Sequence, residues 1–280
     1  MPLFKPNIAA LKAKRDVSGL VQALKIRDDQ VCRDAALALA ELRDKRAVPA
    51  IVELLLAVGN PLREKIAAAN ALGKIGDETA IESLTKAFAI SQEREHTRID
   101  AALESPDPQY RAGFYVNRIS ADELDVRTAL AQSLGEIGGA RAIQALFEML
   151  VAEKGAMESS VRSSVRSAIA DAVKRSAEIA LPVLCEAMKH SSPLVRQTAA
   201  HRLADFNDAA SIDALLRAAY DNQENFDVRE AALLALGYVG DARVIPYLED
   251  LQHDENPGIV RDAKQCAMAV RARIPRKPME

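Results

Sequence analysis

Five arginines in matching sequence surroundings are the residues of this chain with the clearest chemical potential. Each stands near the start of an alanine-rich stretch, and the five are Arg127, Arg166, Arg196, Arg229 and Arg261. A row of guanidinium groups could bind anionic groups of a ligand. It could also pair with carboxylates of the chain itself, which the preceding turns supply at Asp125, Asp227, Asp254 and Glu255.

The second arrangement is the one we predict, a structural ladder in which arginine and carboxylate side chains link neighbouring segments. The first turn of a helix carries partial positive charge, so an arginine placed there needs a compensating anion. If the ladder is structural, replacing Arg196 or Arg229 by alanine should lower the melting temperature.

The arginines belong to a sequence repeat with seven copies. Its basic slot is occupied by Cys32, Lys65, Arg127, Arg166, Arg196, Arg229 and Arg261. Seven residues later stand Leu39, Leu72, Leu134, Val173, Leu203, Leu236 and Met268. Apolar residues one before, three after and seven after the slot share one face of a helix. Twelve residues after the slot, Asp44, Asp77, Asp208 and Asp241 are placed to cap the next helix.

A further helical pattern precedes each copy, so the unit is a helix-turn-helix pair of about thirty residues. Such a unit cannot bury its apolar face alone, and its copies must stack. The pairs between Asp16 and Arg273 resemble HEAT repeats, and in particular the short alanine-rich phycobilisome-lyase HEAT-like repeats. This resemblance implies an all-α fold, a right-handed α-α superhelix or solenoid of about seven helix-turn-helix repeats.

The predicted organisation is an N-terminal capping segment at 1–15, a single solenoid at 16–273 and a frayed tail at 274–280. The slots Lys65 and Arg127 lie 62 residues apart, which predicts an insertion at about 91–122 or a decayed extra repeat. Aromatic and arginine side chains cluster there, a composition typical of interfaces. These insertion residues are Tyr110, Arg111, Phe114, Tyr115 and Arg118. They could equally form a small satellite cluster over the solenoid.

A polar stripe follows the second helix of each pair, one, five and nine residues after the slot. In solenoids of this kind the second helices usually line the concave side, where partners bind. The stripe residues predicted to bind a partner are Lys74, Glu136, Asp171, Arg175, His201, Asp205, Glu230 and Tyr238. Tyr238 is the best single anchor, unless it packs against the next repeat. The alternative for the whole stripe is an ordinary solvated helix face.

The charges of this stripe favour a basic or polar protein partner. Its carboxylates are Glu41, Glu136, Asp171, Asp205, Glu230 and Asp262, whereas its fixed cations are Arg33, Lys74 and Arg175. The net charge of −3 and the pI of about 5.9 argue against nucleic acid as a partner. No stretch of eighteen apolar residues occurs, so we expect no membrane span and a cytoplasmic protein.

Catalytic motifs are absent from the sequence, which contains no glycine-rich phosphate loop, no GxSxG and no HExxH. None of the four histidines is followed by glutamate, whereas deoxyhypusine hydroxylase, an iron enzyme built from similar repeats, carries His-Glu dyads. The three cysteines contain no CxxC pair and are expected to be buried, reduced thiols. We therefore predict no catalytic residue, no metal site and no cofactor.

The function predicted from these patterns is a non-catalytic protein-interaction or scaffolding module that binds its partner on the concave face. One alternative is a chromophore-lyase-like enzyme or an enzyme accessory subunit, because some relatives of this repeat attach bilin chromophores. A third is nucleic-acid binding, which would need a basic patch on that face.

Overall fold

The computed structural model of the protein describes residues 5–26, 28–107, 114–153 and 158–274. In these ranges the regular elements are α-helices and short 3-10 turns, without a strand. The predicted all-α repeat fold is therefore confirmed. The chain divides into two compact units, Met1–Ser176 and Ala177–Glu280. The single solenoid over 16–273 stays a prediction, and the predicted tail lies outside the described residues apart from Ile274.

The first unit contains nine α-helices within its described ranges. They are α1 (Ile8–Ala13), α2 (Val17–Ala23), α3 (Asp29–Leu42), α4 (Val48–Leu56), α5 (Leu62–Ile75), α6 (Ile81–Glu104), α7 (Phe114–Ile137), α8 (Gly139–Ala152) and α9 (Glu158–Arg175). From α2 onward they form four successive pairs, and the short helix α1 packs on α2 and α3. The helix α1 lies within the segment predicted as an N-terminal cap, and its capping role stays a prediction.

The second unit contributes three more pairs in the part of it that the structure describes. They are built from α10 (Ala177–Ala187), α11 (Pro193–Leu203), α12 (Ala209–Tyr220), α13 (Phe226–Val239), α14 (Ile245–Asp250) and α15 (Pro257–Arg273). Second helices pack on each other, α11 on α13 and α13 on α15, as α5 packs on α7 and α7 on α9 in the first unit.

Aspartate residues start the first helices, as the repeat predicts. The Oδ1 atom of Asp44, Asp77, Asp208 and Asp241 accepts a hydrogen bond from the backbone N–H two residues later, at 2.8–3.0 Å. In three of these cases the cap holds a short 3-10 turn that leads into the α-helix. At Asp44 the hydrogen bonds from Arg46 lower the pKa of the carboxyl to about 2.

The core follows the predicted register in six of the seven pairs. The leucine or valine seven residues after the slot is buried in each of them. Met268, the corresponding residue of the last pair, is 69% exposed, so this prediction was wrong. The buried residues of α15 include Ile259, Ala263 and Ala267, which match the other helices only if Val260 occupies the slot. The last copy is therefore shifted by one residue.

The 62-residue spacing has a simple cause, because helices α6 and α7 are each 24 residues long. The extra residues lengthen both helices of one ordinary pair, and no additional pair lies between α5 and α8 in the described ranges. The prediction that the helix starting at Ile81 continues toward Leu103 is confirmed. Within the described residues, the arrangement fits a lengthened pair better than a decayed repeat.

Close packing of the second helices leads to a stability prediction at two matched glycines. A Cβ atom at Gly135 would lie 2.9 Å from the backbone oxygen of Ala168, whereas at Gly237 the nearest atom is Cys266 Sγ at 3.7 Å. We expect Gly135→Ala to lower the free energy of unfolding by about 1–3 kcal/mol. Gly237→Ala should be neutral or stabilising by up to about 1 kcal/mol, because alanine favours helix.

Urea unfolding of the two variants followed by circular dichroism measures this difference. Both glycines stand eight residues after their slots, so each variant controls for the change in helix propensity of the other. Equal effects of the two substitutions would contradict the packing argument.

Candidate functional site

The stripe residues of the first unit are exposed and lie on helices that pack together. Lys74, Glu136, Asp171 and Arg175 are all exposed. The carboxylate of Glu136 lies against Gly73, where a Cβ atom would come within 2.7 Å of Oε2. A glycine at this place lets α5 and α7 approach closely, and the approach brings Glu136 beside the helix turn that carries Lys74.

The stripe of the second unit combines carboxylates with an exposed aromatic side chain. His201 and Asp205 of α11 are exposed, and Glu230 of α13 is half-buried. On the same face of α13, Leu234 is 45% and Tyr238 is 74% exposed. The alternative that Tyr238 packs against the next repeat is therefore wrong. Its backbone is nevertheless held, because the Arg273 guanidinium of α15 donates to the Tyr238 carbonyl at 2.7 Å.

One residue counted in the stripe belongs to the core instead. Asp262 is buried, as are Cys266 and Val270, because the register of α15 is shifted by one residue. The same shift places Arg261 at the first stripe position of α15, so six carboxylates against three fixed cations become five against four.

Most of the predicted insertion site lies beyond what the structure describes. Tyr110 and Arg111 fall outside the described residues. Phe114, Tyr115 and Arg118 are on the first turns of α7, and their side chains are not described. Their role in partner binding stays a prediction.

Two slot arginines of the second unit, Arg196 and Arg229, contact both carboxylate and backbone oxygens. Arg196 contacts Glu224 with Nη2–Oε1 at 2.5 Å and Nε–Oε2 at 2.7 Å. Arg229 contacts Asp254 with Nη2–Oδ2 at 2.5 Å, and its Nε donates to the Ala219 carbonyl at 3.0 Å. Each arginine thus meets a carboxylate from the turn of the following helix pair.

The following turn, rather than the preceding one, supplies these anions. Asp125, Asp227 and Glu255 do not contact the arginines they precede, and Asp254 contacts Arg229 instead of Arg261. Arg229 also meets the end of its own first helix, whose carbonyls carry partial negative charge. This position explains how an arginine can occupy the start of a second helix.

One of the five arginines, Arg261, occupies different surroundings from those that the ladder predicts. The side chain of Arg261 is 62% exposed and contacts Asp262 at 2.8 Å and Glu230 at 3.8 Å. Its place at the inner slot was predicted wrongly, because Val260 fills that slot in α15.

A fully buried ionic cluster surrounds Arg127 and was not foreseen from the sequence. Arg127 Nη2 lies 2.5 Å from Glu95 Oε2, and Nη1 lies 2.8 Å from Glu153 Oε1. Nearby, Ser91 Oγ donates to the buried carboxylate of Glu123 at 2.6 Å. The one sequence signal was a charged segment in the extension of α6, where Glu95 lies.

No metal or cysteine chemistry emerges from the described side chains. Among them, no group of three or more His, Cys, Asp or Glu residues could hold a metal ion. Cys32 and Cys266 are buried as predicted, while Cys185 is only half-buried. Burial raises the pKa of Cys266 to about 12, which leaves the thiol protonated and unreactive at neutral pH. Within the same ranges, no helix has the length and apolarity needed to cross a membrane.

Comparison with curated proteins finds enzymes among the relatives. Deoxyhypusine hydroxylase-B of Oryza sativa subsp. japonica is 27% identical over 95% of this chain and 81% of its own length. Deoxyhypusine hydroxylase of Gallus gallus is 35% identical over 33% of this chain and 30% of its own length. The described side chains contain no cluster that fits a metal ion of such an enzyme.

Solved structures with similar folds are more distant. Human deoxyhypusine hydroxylase in complex with glycerol matches with a TM-score of 0.37 and 17% identity, over 95% of this chain and 88% of the other. The complex of CpcE and CpcF of phycocyanin lyase from Nostoc sp. PCC7120 matches with a TM-score of 0.40 and 19% identity, over 90% of this chain and 94% of the other.

Family models match most of the chain. The model for HEAT repeats matches residues 17–105, 154–225 and 181–269, and that for the PBS lyase HEAT-like repeat matches residues 126–150. These ranges contain the helix pairs and the slot residues described above. The chain therefore belongs to the HEAT repeat family.

Proposed function

We propose that this protein is a non-catalytic binding module for a basic or polar protein partner, which it contacts through the exposed face of its second helices. The observation that carries the proposal is Tyr238, whose side chain is 74% exposed although its helix is packed on both neighbouring helices. Aromatic side chains that packing does not require are frequent anchors of protein interfaces. Leu234 lies one turn earlier on the same face and adds apolar area.

Charge indicates the chemistry of the partner. The stripe carries Asp205 and Glu230 near the anchor in the second unit, where Arg261 lies 3.8 Å from Glu230, and Glu136 and Asp171 with Lys74 and Arg175 in the first. Such a surface attracts positive groups and disfavours phosphate backbones. A protein segment rich in lysine, arginine or polar side chains matches it.

Replacing Tyr238 by alanine tests the proposal. We expect partner affinity to fall at least about tenfold, since an interface anchor contributes about 2 kcal/mol or more. The protein that wild type captures from extracts of its own host is identified by mass spectrometry, and its Kd is then measured with purified variants. The melting temperature of the variant should not change, because the ring is exposed.

Tyr247→Ala is the matched control, because Tyr247 is an exposed tyrosine on the first helix α14. It should retain full affinity. Equal losses from the two variants, or no loss from either, would contradict binding at the second-helix face.

A second candidate is hydroxylation of deoxyhypusine, which the 27% identity over 95% of the chain favours. Incubation with iron(II) followed by desalting and metal analysis separates the two functions. Stoichiometric iron with turnover of a deoxyhypusine-containing protein would favour the enzyme. The chromophore-lyase and nucleic-acid alternatives are tested by bilin absorbance and by a salt-titrated gel shift.

A further inference from the structure

A patch of exposed cations lies where the chain leaves helices α1 and α3. Two of its side chains follow α1 and three follow α3, and they are Lys14, Arg15, Arg43, Lys45 and Arg46. Helix α1 packs on α3, and near their ends Lys12 forms an ion pair with Glu41. Arg15 is close enough to Asp44 for its charge, after the hydrogen bonds and the charge of Arg46, to lower the pKa of that carboxyl. The two helix ends therefore present one basic surface.

The carboxylates around this patch are engaged in other contacts. Asp16 and Asp44 each accept a hydrogen bond from a backbone N–H of the following helical turn, at 2.9 and 3.0 Å. Asp44 also pairs with Arg46 at 2.7 Å, and Lys45 lies 3.5 Å from Asp77. The cations of the patch without a described carboxylate in ion-pair distance are Lys14, Arg15 and Arg43.

The backbone indicates that the two arginines serve more than folding. Arg15 and Arg43 have φ angles of 53° and 50°, and within the described ranges they are the only residues other than glycine with a positive φ. Arg43 stands eleven residues after its slot, where the next two pairs have Gly76 and Gly138 with φ angles of 73° and 70°. Glycine enters this left-handed region freely, whereas a side chain is unfavourable there. Arginine is thus present where local stability favours glycine, and strain of this kind is a reason to look for a function.

The helix ends account for part of the positive charge. The last carbonyls of a helix carry partial negative charge, so a cation after α1 and another after α3 are favourable. A lysine or arginine at an ordinary φ would meet that requirement. It explains neither the number of exposed cations nor the left-handed arginines.

We propose that this basic patch docks a segment of a protein partner that is rich in aspartate and glutamate. Separate carboxylates of such a segment can pair with Lys14, Arg15 and Arg43. A continuous phosphate backbone fits less well, because the exposed Asp16 and Glu41 interrupt the patch. The patch also has no aromatic side chain on which nucleic-acid bases could stack. Its sign is opposite to that of the second-helix stripe, so the inference goes beyond the proposed function and adds a second surface.

The experiment measures binding of a labelled, capped peptide, in which glutamate alternates with serine, to the full chain by fluorescence anisotropy. The same peptide with glutamine in place of glutamate is the ligand control. We expect the glutamate peptide to bind at least about ten times more tightly at low salt, and its affinity to fall as the salt concentration rises.

Arg15→Gly combined with Arg43→Gly should weaken binding of the glutamate peptide at least about fivefold. Loss of folding cannot mimic this result, because glycine suits the positive φ angles and the melting temperature should stay unchanged or rise. Arg63→Gln combined with Lys264→Gln is the matched control. It removes two exposed cations of α5 and α15 outside the patch, changes the net charge equally and should bind the peptide like wild type.

The proposal is overturned by equal binding of the two peptides, by binding of neither, or by equal losses in the two double variants. A DNA oligonucleotide of the same charge, single-stranded or double-stranded, is the competing ligand. If it binds more tightly than the peptide and loses affinity in the double glycine variant, the patch is a nucleic-acid surface and the proposal fails. Tyr238→Ala should keep peptide binding, because that side chain belongs to the stripe of the second unit.

Discussion

Replacing Arg127 by alanine is expected to lower the free energy of unfolding by about 3–5 kcal/mol, the largest effect of any substitution considered for this chain. Arg127, Glu95 and Glu153 are all fully buried. Among the described residues, the Arg127 guanidinium is the cation that pairs with Glu95, so the charge of Glu95 depends on it. Without Arg127, the carboxylates of Glu95 and Glu153 would remain in the interior and would both lose this guanidinium.

The measurement is urea unfolding of the full chain followed by circular dichroism at pH 7. Arg243→Ala is the control, because it removes the same side chain from a largely exposed ion pair with Asp241. It should change stability by less than about 1 kcal/mol. Similar losses in the two variants would mean that burial of the ion pairs is not the cause.

A triple variant separates the cost of unpaired charge from the contribution of the ion pairs. When Glu95→Leu and Glu153→Leu accompany Arg127→Met, no buried charge is left without a partner. Apolar replacement of a complete buried ionic cluster is often neutral or stabilising. We therefore expect the triple variant to be more stable than Arg127→Ala, and a further loss would contradict this explanation.

Arg229→Ala is expected to cost about 2–4 kcal/mol at pH 7, and the cost should depend on pH. The Arg229 guanidinium is the main cause that lowers the pKa of Asp254 below its ordinary value. A carboxyl with a lowered folded-state pKa stabilises the fold above its unfolded-state pKa of about 3.9. That contribution is lost as the pH falls through the folded-state pKa.

The difference between wild type and Arg229→Ala should thus be constant from about pH 7 to 5 and shrink below about pH 4. Unfolding curves at pH 7, 5, 4 and 3 measure it. Arg243→Ala is the control, because the Arg243–Asp241 pair is largely exposed and should contribute less than about 1 kcal/mol. A difference that persists in full at pH 3 would mean that Arg229 acts through the Ala219 carbonyl and packing alone.

Membership of the HEAT repeat family accounts for the fold of this protein, whereas its function depends on particular sites. The seven helix pairs use one packing scheme, and departures from that scheme are informative. Tyr238 is an aromatic residue that packing does not require, and we propose that it contacts a partner.

Much of the fold could be predicted because its determinants are local. Apolar residues at helical spacing predict the helix pairs, and the aspartates of the turns predict the helix starts. The burial of the core residues from Leu39 to Leu236 could be predicted for the same reason. Met268 did not, because a single shifted residue in the last copy changes which side chains face the core, and the sequence there supports both registers.

The sequence alone therefore determined the helix pairs, their caps and the all-α class, since these depend on residues within a few turns of one another. Only the tertiary structure decided which charges meet. Arg229 lies 25 residues from Asp254, and Arg127 joins Glu95 to Glu153 across two helix pairs. Such contacts depend on how neighbouring pairs stack, and the spacing of charges along the chain does not specify that geometry.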